Sequence, residues 1–228
     1  EYLVEAVSSS NGYGTITWSQ QMPVLLELKP YFDGAIDIKA QAISTEPSNG
    51  NAKVVHFSTL HENILPLADV PRLTLTANAS GAEDDGGIFL EIAASSLDLD
   101  ETVSVTISAI PVGAVLSNDL GALTVSNGAI TLTPAQLVGL TIQPPLNYDG
   151  AFALSVVANT NDDGQTASGT AQTVTVVVAP VADVPSLTLT AGASGAEDTG
   201  IALEIAASSL DLDEAVSVTI SAIPVGSV

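Results

Sequence analysis

The sequence predicts an all-β fold, a tandem series of immunoglobulin/cadherin-like β-sandwiches of about seven strands with a 114-residue period, and three observations carry it. Hydrophobic residues make up 46% of the chain but aromatic ones only 4%, so the cores are built from Val, Ile, Leu and Ala. Thr and Ser fill the alternate positions, a composition that suits strands rather than helices. Apolar residues recur at every second position in short runs, which marks half-buried strands. Finally, the sequence repeats: Ala182-Asp183-Val184-Pro185 restates Ala68-Asp69-Val70-Pro71, 114 positions on, and internal repetition governs the whole architecture when present.

The repeat sets the domain organisation. Leu203–Glu214 restates Leu90–Glu101 without a change, at a spacing that slips to 113 because Asp85-Gly86-Gly87 carries one extra residue. Upstream, Gly14-Thr15-Ile16-Thr17-Trp18 matches Gly128-Ala129-Ile130-Thr131-Leu132, and Phe32-Asp33-Gly34-Ala35 matches Tyr148-Asp149-Gly150-Ala151. The chain therefore reads as the C-terminal part of a first, divergent sandwich (1–66), a complete repeat (67–180) and the N-terminal part of the next repeat (181–228). Glu1 and Val228 both fall at the phase of Val115. The expected origin is a fragment of a longer tandem array. The alternative is a pair of ends that complement each other between molecules.

Within 67–180 the elements follow in order. Leu73/Leu75, Ile88/Leu90/Ile92, Val103/Val105/Ile107, Leu123/Val125, Ile130/Leu132, Phe152/Leu154/Val156 and Val174/Val176/Val178 each turn one apolar face inward, giving strands A to G. Asn127-Gly128 between two such runs signals a type I′ hairpin. Thr133-Pro134-Ala135-Gln136 has the form of a capping box with proline at the first helical position, so one short helix is expected between E and F. Val184-Pro185 and Val70-Pro71 fix φ and keep the preceding residue extended, which makes each repeat boundary a short straight joint.

Charge narrows the function. The net charge is −22, from 26 acidic and four basic residues, and those four are Lys29, Lys39, Lys53 and Arg72. Nucleic acid is excluded as a partner, since phosphate binding needs clustered Lys or Arg, and an anionic membrane surface is disfavoured for the same reason. No apolar run reaches the roughly 20 residues that span a bilayer, so direct membrane insertion is not expected. There are no cysteines, which removes disulfides and thiolate metal sites. No leader peptide is visible, and the sequence begins in mid-pattern.

Topology turns the acids into an argument. With strands running up and down, the A–B and E–F loops lie where the chain leaves a sandwich, and the B–C and F–G loops lie where it comes in. Glu83-Asp84 and Asp149 then approach the joint that holds Asp183, and the next B–C loop brings Asp211, Asp213 and Glu214 to the same place. At the upstream joint the same logic gathers Asp33, Asp69, Asp98, Asp100 and Glu101, with Asp162 of the F–G loop as a further oxygen. Two carboxylates about 5 Å apart repel by roughly 1–3 kcal/mol at effective dielectrics between water and a protein surface. Such a cluster calls for a cation, and oxygen-only ligands select Ca²⁺ over transition metals, with Mg²⁺ second.

These residues resemble a known group. The Ala-Asp-x-Pro joint, Glu197-Asp198-Thr199-Gly200, the Asp-x-Asp before strand C and Thr133-Pro134-Ala135-Gln136-Leu137 look like the cadherin-like tandem repeats of giant bacterial RTX adhesins. The resemblance covers the complete repeat and both partial ones. It differs in lacking Gly-Ser between Asp-x-Asp and the Glu at 101 and 214. The resemblance implies calcium-stiffened extender domains, type I secretion, tethering at the bacterial cell surface, and a role in adhesion or biofilm. The partners it implies are neighbouring repeats, with a polysaccharide or cell-surface ligand engaged through other domains.

Rival classes find less support in the residues. His56 and His61 are the only bases for catalysis near neutral pH and have no Ser or Cys partner in motif context, so no enzyme is expected; a zinc pair from the two lacks a third ligand. A carbohydrate-binding module needs an aromatic platform; Trp18 is in phase with Ile16 and reads as core, while Tyr13, Tyr31 and Phe32 keep that reading in view. The complete repeat has no lysine, which rules out a Lys–Asn isopeptide there. Asn78-Ala79-Ser80 fits a glycosylation sequon.

Overall fold

The computed structural model describes the backbone of residues 2–3 and 24–227, and side chains over 26–41, 46–51 and 58–227. Trp18 and Tyr13 lie outside the described residues, as does the His56 side chain. Contacts divide the chain into two compact units. One holds Glu1–Asp69 together with the loops Leu97–Glu101 and Asn161–Thr166, and the other holds Val70–Ser96, Thr102–Thr160 and Ala167–Val228.

In the first unit, β1 (Tyr2–Leu3) and β2 (Val24–Leu25) form a short parallel pair. The main element is a hairpin of β3 (Gly34–Thr45) and β4 (Ala52–Ile64), with a register shift between Ala42 and Ile43. Its turn closes through Glu46, whose N–H bonds to the Asn51 carbonyl at 2.8 Å. Alternation puts Ile36, Ile38, Leu60 and Ile64 on one face and Asp37, Lys39 and His61 on the other.

The second unit contains the sandwich. Its strands are β5 (Arg72–Leu75), β6 (Asn78–Ala82), β7 (Ile88–Phe89), β8 (Ile92–Ser95), β9 (Thr102–Ser108), β10 (Val115–Asn118), β11 (Gly121–Ala122) and β12 (Ile130–Leu132). A 3₁₀ turn over Pro134–Leu137 follows, then β13 (Thr141–Gln143), β14 (Gly150–Asp162), β15 (Gln165–Ser168) and β16 (Gln172–Ala179). One sheet has the order β12-β9-β14-β16-β6, with β15 folded onto β14, and the other has the order β11-β10-β13-β7; β5 and β8 pair separately. The two sheets enclose a core in which Val105, Ile107, Leu116, Ile142, Leu154, Val156 and Val176 are fully buried. Both sheets contribute, as a sandwich requires.

The sequence expectation needs three corrections here. Strand B is not continuous: β7 pairs with β13 and β8 with β5, because the Leu90 N–H is drawn to the Leu140 carbonyl at 2.9 Å and the chain changes sheet there. Leu123/Val125 is not a strand; both pack on the core from irregular backbone, and β10 and β13 supply the sheet instead. The in-sheet order is also not up and down, since β9 lies between β12 and β14. By contrast, Asn127 (φ 51°) and Gly128 (φ 71°) form the expected I′ turn, closed by Ser126 and Ala129. The Gln136 Oε1 accepts from the Thr133 N–H at 2.9 Å, as a capping box demands.

β6 was invisible to pattern reading because Asn-Ala-Ser-Gly-Ala carries no large apolar residue; pairing in parallel with β16 creates it. Its small residues are required. A Cβ on Gly81 would meet Ile88 Cγ1 at 2.7 Å, whereas one on Gly86 meets nothing within 4 Å. Gly81→Ala is therefore expected to destabilise by about 1–3 kcal/mol through overpacking, while Gly86→Ala leaves stability within about 0.5 kcal/mol. Urea unfolding of the two variants checks this, and equal midpoints would refute it.

The chain beyond Pro185 repeats the sequence but only part of the structure. β17 (Ser186–Leu189) and β18 (Ile205–Ser208) pair antiparallel in the register of β5 and β8, Leu187 opposite Ala207 as Leu73 is opposite Ala94. The counterparts of β6, β7 and β9 do not form strands. In the complete repeat those three strands pair with β16, β13, and both β12 and β14, all of which follow Val115 in sequence.

Candidate functional site

Four polar residues are buried among the described ones, and three of them are carboxylates: Glu83, Glu101 and Asp162, with Thr160 the fourth. Lys, Glu, Arg and Asp are almost never buried without a partner. The only ion pair among the described residues is elsewhere, between Asp37 Oδ1 and His61 Nδ1 at 2.5 Å, with both side chains mostly exposed. Each buried acid has something to hold it in place, a backbone N–H.

In the first unit that something is the linker backbone. The Asp69 N–H donates to Glu101 Oε1 at 2.5 Å, and the Leu67 N–H bonds to the Asp162 carboxylate. The Asp100 N–H turns back towards Asp98 Oδ1 at 3.4 Å, the short-range turn favoured by aspartate in loops. Around this frame the acids crowd one another. The Asp98 carboxyl is pushed up to about 6, first by the hydrogen bond it shares with Asp100, then by burial, with the charges of Asp100 and Glu101 adding to the shift. Asp100 is lowered correspondingly by Asp98, by backbone hydrogen bonding and by a side-chain bond with Asp33. Asp162 is raised mainly by burial and then by the charge of Asp33, while the Leu67 N–H works the other way. All six acids expected at this joint, Asp33, Asp69, Asp98, Asp100, Glu101 and Asp162, fall in one compact unit.

The second unit builds the same arrangement from the repeated sequence. The Asp183 N–H donates to Glu214 Oε1 at 2.5 Å, as Asp69 does to Glu101. The other Glu214 oxygen takes the Ser209 hydroxyl. Glu83, from the end of β6, accepts from the Val181 N–H at 2.6 Å. Its second oxygen, Oε2, is buried with no hydrogen-bond partner. Asp211 is raised by the hydrogen bond it shares with Asp213, then by burial, with the charges of Asp213 and Glu83 contributing. Glu83, Asp183, Asp211, Asp213 and Glu214 are therefore associated. Asp84 and Asp149 are exposed, and neither hydrogen-bonds to the linker among the described residues. Asp149 precedes Gly150, which pairs with Val178 near the downstream end of the sandwich.

Sequence reasoning missed the mode of attachment. Glu83, Glu101 and Glu214 each accept a linker N–H with one carboxylate oxygen, and Glu214 also takes the Ser209 hydroxyl with the other. The signal available was their position: each is a glutamate beside an acidic loop, with a side chain long enough to reach a linker N–H.

Among the described residues no three Asp, Glu or His side chains are placed so as to hold a metal ion. The donor chemistry nonetheless fits a hard divalent cation: every candidate donor is an oxygen, and Glu83 Oε2 is a buried oxygen with no partner. Fold and site together define a β-sandwich protein with carboxylate-clamped linkers. No protein-family model matches the chain, and no curated protein matches it.

Proposed function

We propose that the chain is a calcium-stiffened extender of a bacterial cell-surface adhesin, structural rather than catalytic. The observation that carries this reading is the recurrence of one geometry: Glu101 on the Asp69 N–H and Glu214 on the Asp183 N–H, each beside an Asp-x-Asp pair whose carboxyls share a hydrogen bond. A linker held at its backbone by a carboxylate from the adjoining loop has less freedom to swivel. Asp98, Asp100, Asp33 and Asp162 would hold a cation at one joint, and Asp211, Asp213, Asp183 and the free oxygen of Glu83 at the other. Bound calcium would neutralise the mutual repulsion of these carboxylates. The chain's own residues set the rest: Leu67 and Asp69 fix the linker, Pro71 and Pro185 keep it extended, and rotation of the Asp side chains closes the cluster. The resulting module holds a binding domain elsewhere in its protein away from the bacterial surface, in an extracellular setting rich in calcium.

Titration calorimetry with calcium, paired with small-angle scattering in calcium and in chelator, tests the reading. Heat of binding with an increase in maximum dimension supports it; identical scattering with no heat rejects it. Asp183→Ala is expected to abolish the dimensional change at the second joint while leaving the melting of the sandwich within about 0.5 kcal/mol of the parent, because the side chain lies outside the core. Proteolysis at residues 181–185 should then become faster in calcium, and an unchanged cleavage rate would count against the assignment.

A further inference from the structure

We propose that the complete repeat carries tension along the chain through one pair of strands, β6 and β16, and that Glu83 latches this pair without the help of an ion. A tethered extender transmits whatever pull its ends receive, and to that extent the latch rests on the extender reading. β6 and β16 are the first and last strands of the larger sheet. They run parallel, with Asn78 opposite Thr175 and Ala82 opposite Ala179. A pull at the ends of the chain reaches β6 from its N-terminal end and β16 from its C-terminal end. The two strands are then drawn past each other along their length, and every rung of the ladder bears the load together. A pair pulled apart from one end opens rung by rung instead, each bond yielding alone.

The order of the strands makes this pair the lock of the sandwich. Residues 83–171 all lie between β6 and β16 in sequence, as parallel pairing requires a long crossover. None of that chain can be drawn out until the two strands part. β5 stands outside the ladder, paired with β8, and its release passes the load on to Asn78.

Glu83 holds the end where the pull leaves. The Thr175 N–H donates to the Ala77 carbonyl at 2.8 Å and the Glu83 N–H to the Ala179 carbonyl at 3.1 Å. In an unbroken parallel ladder the next donor, the Val181 N–H, would go to the Glu83 carbonyl. It goes to Glu83 Oε1 at 2.6 Å instead. Glu83 therefore grips the outgoing chain twice, once through its backbone and once through a charged acceptor, and charge-assisted bonds are the stronger kind. The residue is buried, so water competes little for that bond. Asp85 braces the loop behind it: Asp85 Oδ2 accepts the Ala82 N–H at 3.1 Å, and the Asp85 N–H donates to the Ala82 carbonyl at 3.2 Å.

The chain has no cysteine, so an introduced pair can set a second direction of pull. Single-molecule force spectroscopy of the full chain in chelator compares pulling through the chain ends with pulling through Val112→Cys and Leu146→Cys. Val112 and Leu146 are exposed and flank the same end of the β10–β13 pair, where Val115 is opposite Gln143. Load applied there opens that pair rung by rung. Parting of β6 from β16 is recognised by length, since the chain from Asn78 to Ala179 extends to roughly 340–370 Å. The expected rupture force is severalfold higher through the chain ends than through the loops. Forced unfolding follows the unfolding rate. Glu83→Ala should raise that rate roughly ten- to a hundredfold through the chain ends, as loss of a hydrogen bond to a charged group implies, and leave it unchanged through the loops. Glu83→Gln keeps an oxygen for the Val181 N–H and should retain most of the resistance. Similar forces in the two directions overturn the proposal, and so does Glu83→Ala acting equally in both directions or in neither. Because calcium takes no part, a latch that fails here leaves the ion's role at the joint standing, and a missing calcium response leaves the latch standing.

Discussion

Glu83→Gln is expected to change sign with calcium. In chelator the substitution should raise the melting temperature of the sandwich, and in calcium it should shrink the gain that the ion gives. The reason lies in two oxygens with different fates. Oε1 accepts the Val181 N–H at 2.6 Å, a bond that an amide oxygen can also make. Oε2 is buried without a partner, and a buried unsatisfied polar group costs about 1–3 kcal/mol. Removing its charge also relieves the repulsion on Asp211. The expected gain in chelator is about 1 kcal/mol, or roughly 4 °C for a domain of this size. On the proposed calcium reading, the parent is expected to gain by mass action in calcium. With a Kd on the order of 0.1–1 mM, as in extracellular modules, about 10 mM calcium contributes roughly 1.4–2.7 kcal/mol. Glu83→Gln should lose most of this at the second joint. Calorimetric melting of both proteins in both buffers decides it, and the same shift in each buffer would show that Glu83 does not serve the ion.

Ile107→Ala and Ile220→Ala should differ by several kcal/mol although the residues around them are the same. Val103–Gly113 and Val216–Gly226 are identical in sequence. Ile107 is fully buried in β9, between the two sheets, whereas Ile220 is 52% exposed on irregular backbone. Truncating a buried isoleucine costs about 2–5 kcal/mol, the lost transfer energy plus the cavity left behind. At a surface position the change stays within about 0.5 kcal/mol. Urea unfolding measures both. Equal losses would mean that the partial repeat buries its own core.

Much of the sandwich was legible in advance. Period-two alternation located the buried faces of β9, β12, β14 and β16, because an inward residue every second position is the direct consequence of pleating. The Asn127-Gly128 turn was legible because two adjacent positive φ angles favour those residues. The acids expected at the upstream joint were placed from loop topology, and all six fall in the same compact unit. What could not be read was any element whose existence depends on a distant partner. β6 has no large apolar residue, and β10 and β13 are defined by pairing with each other across 24 or more positions of sequence. The exposure of Asp84 beside the buried Glu83 has a similar cause: an adjacent pair of acids does not declare which one turns inward.

The amino-acid sequence by itself determined the strand class, the repeat, the acidic joints and the oxygen-only donor chemistry, because composition, periodicity and charge act locally and leave their mark residue by residue. Only the tertiary structure decided which identical segments become strands. Thr102–Ser108 is a central strand flanked by β12 and β14, while its near-copy at 215–221 is irregular. A strand's backbone groups are satisfied by neighbours rather than by itself, so the same residues pair where those neighbours are present and remain open where they are not.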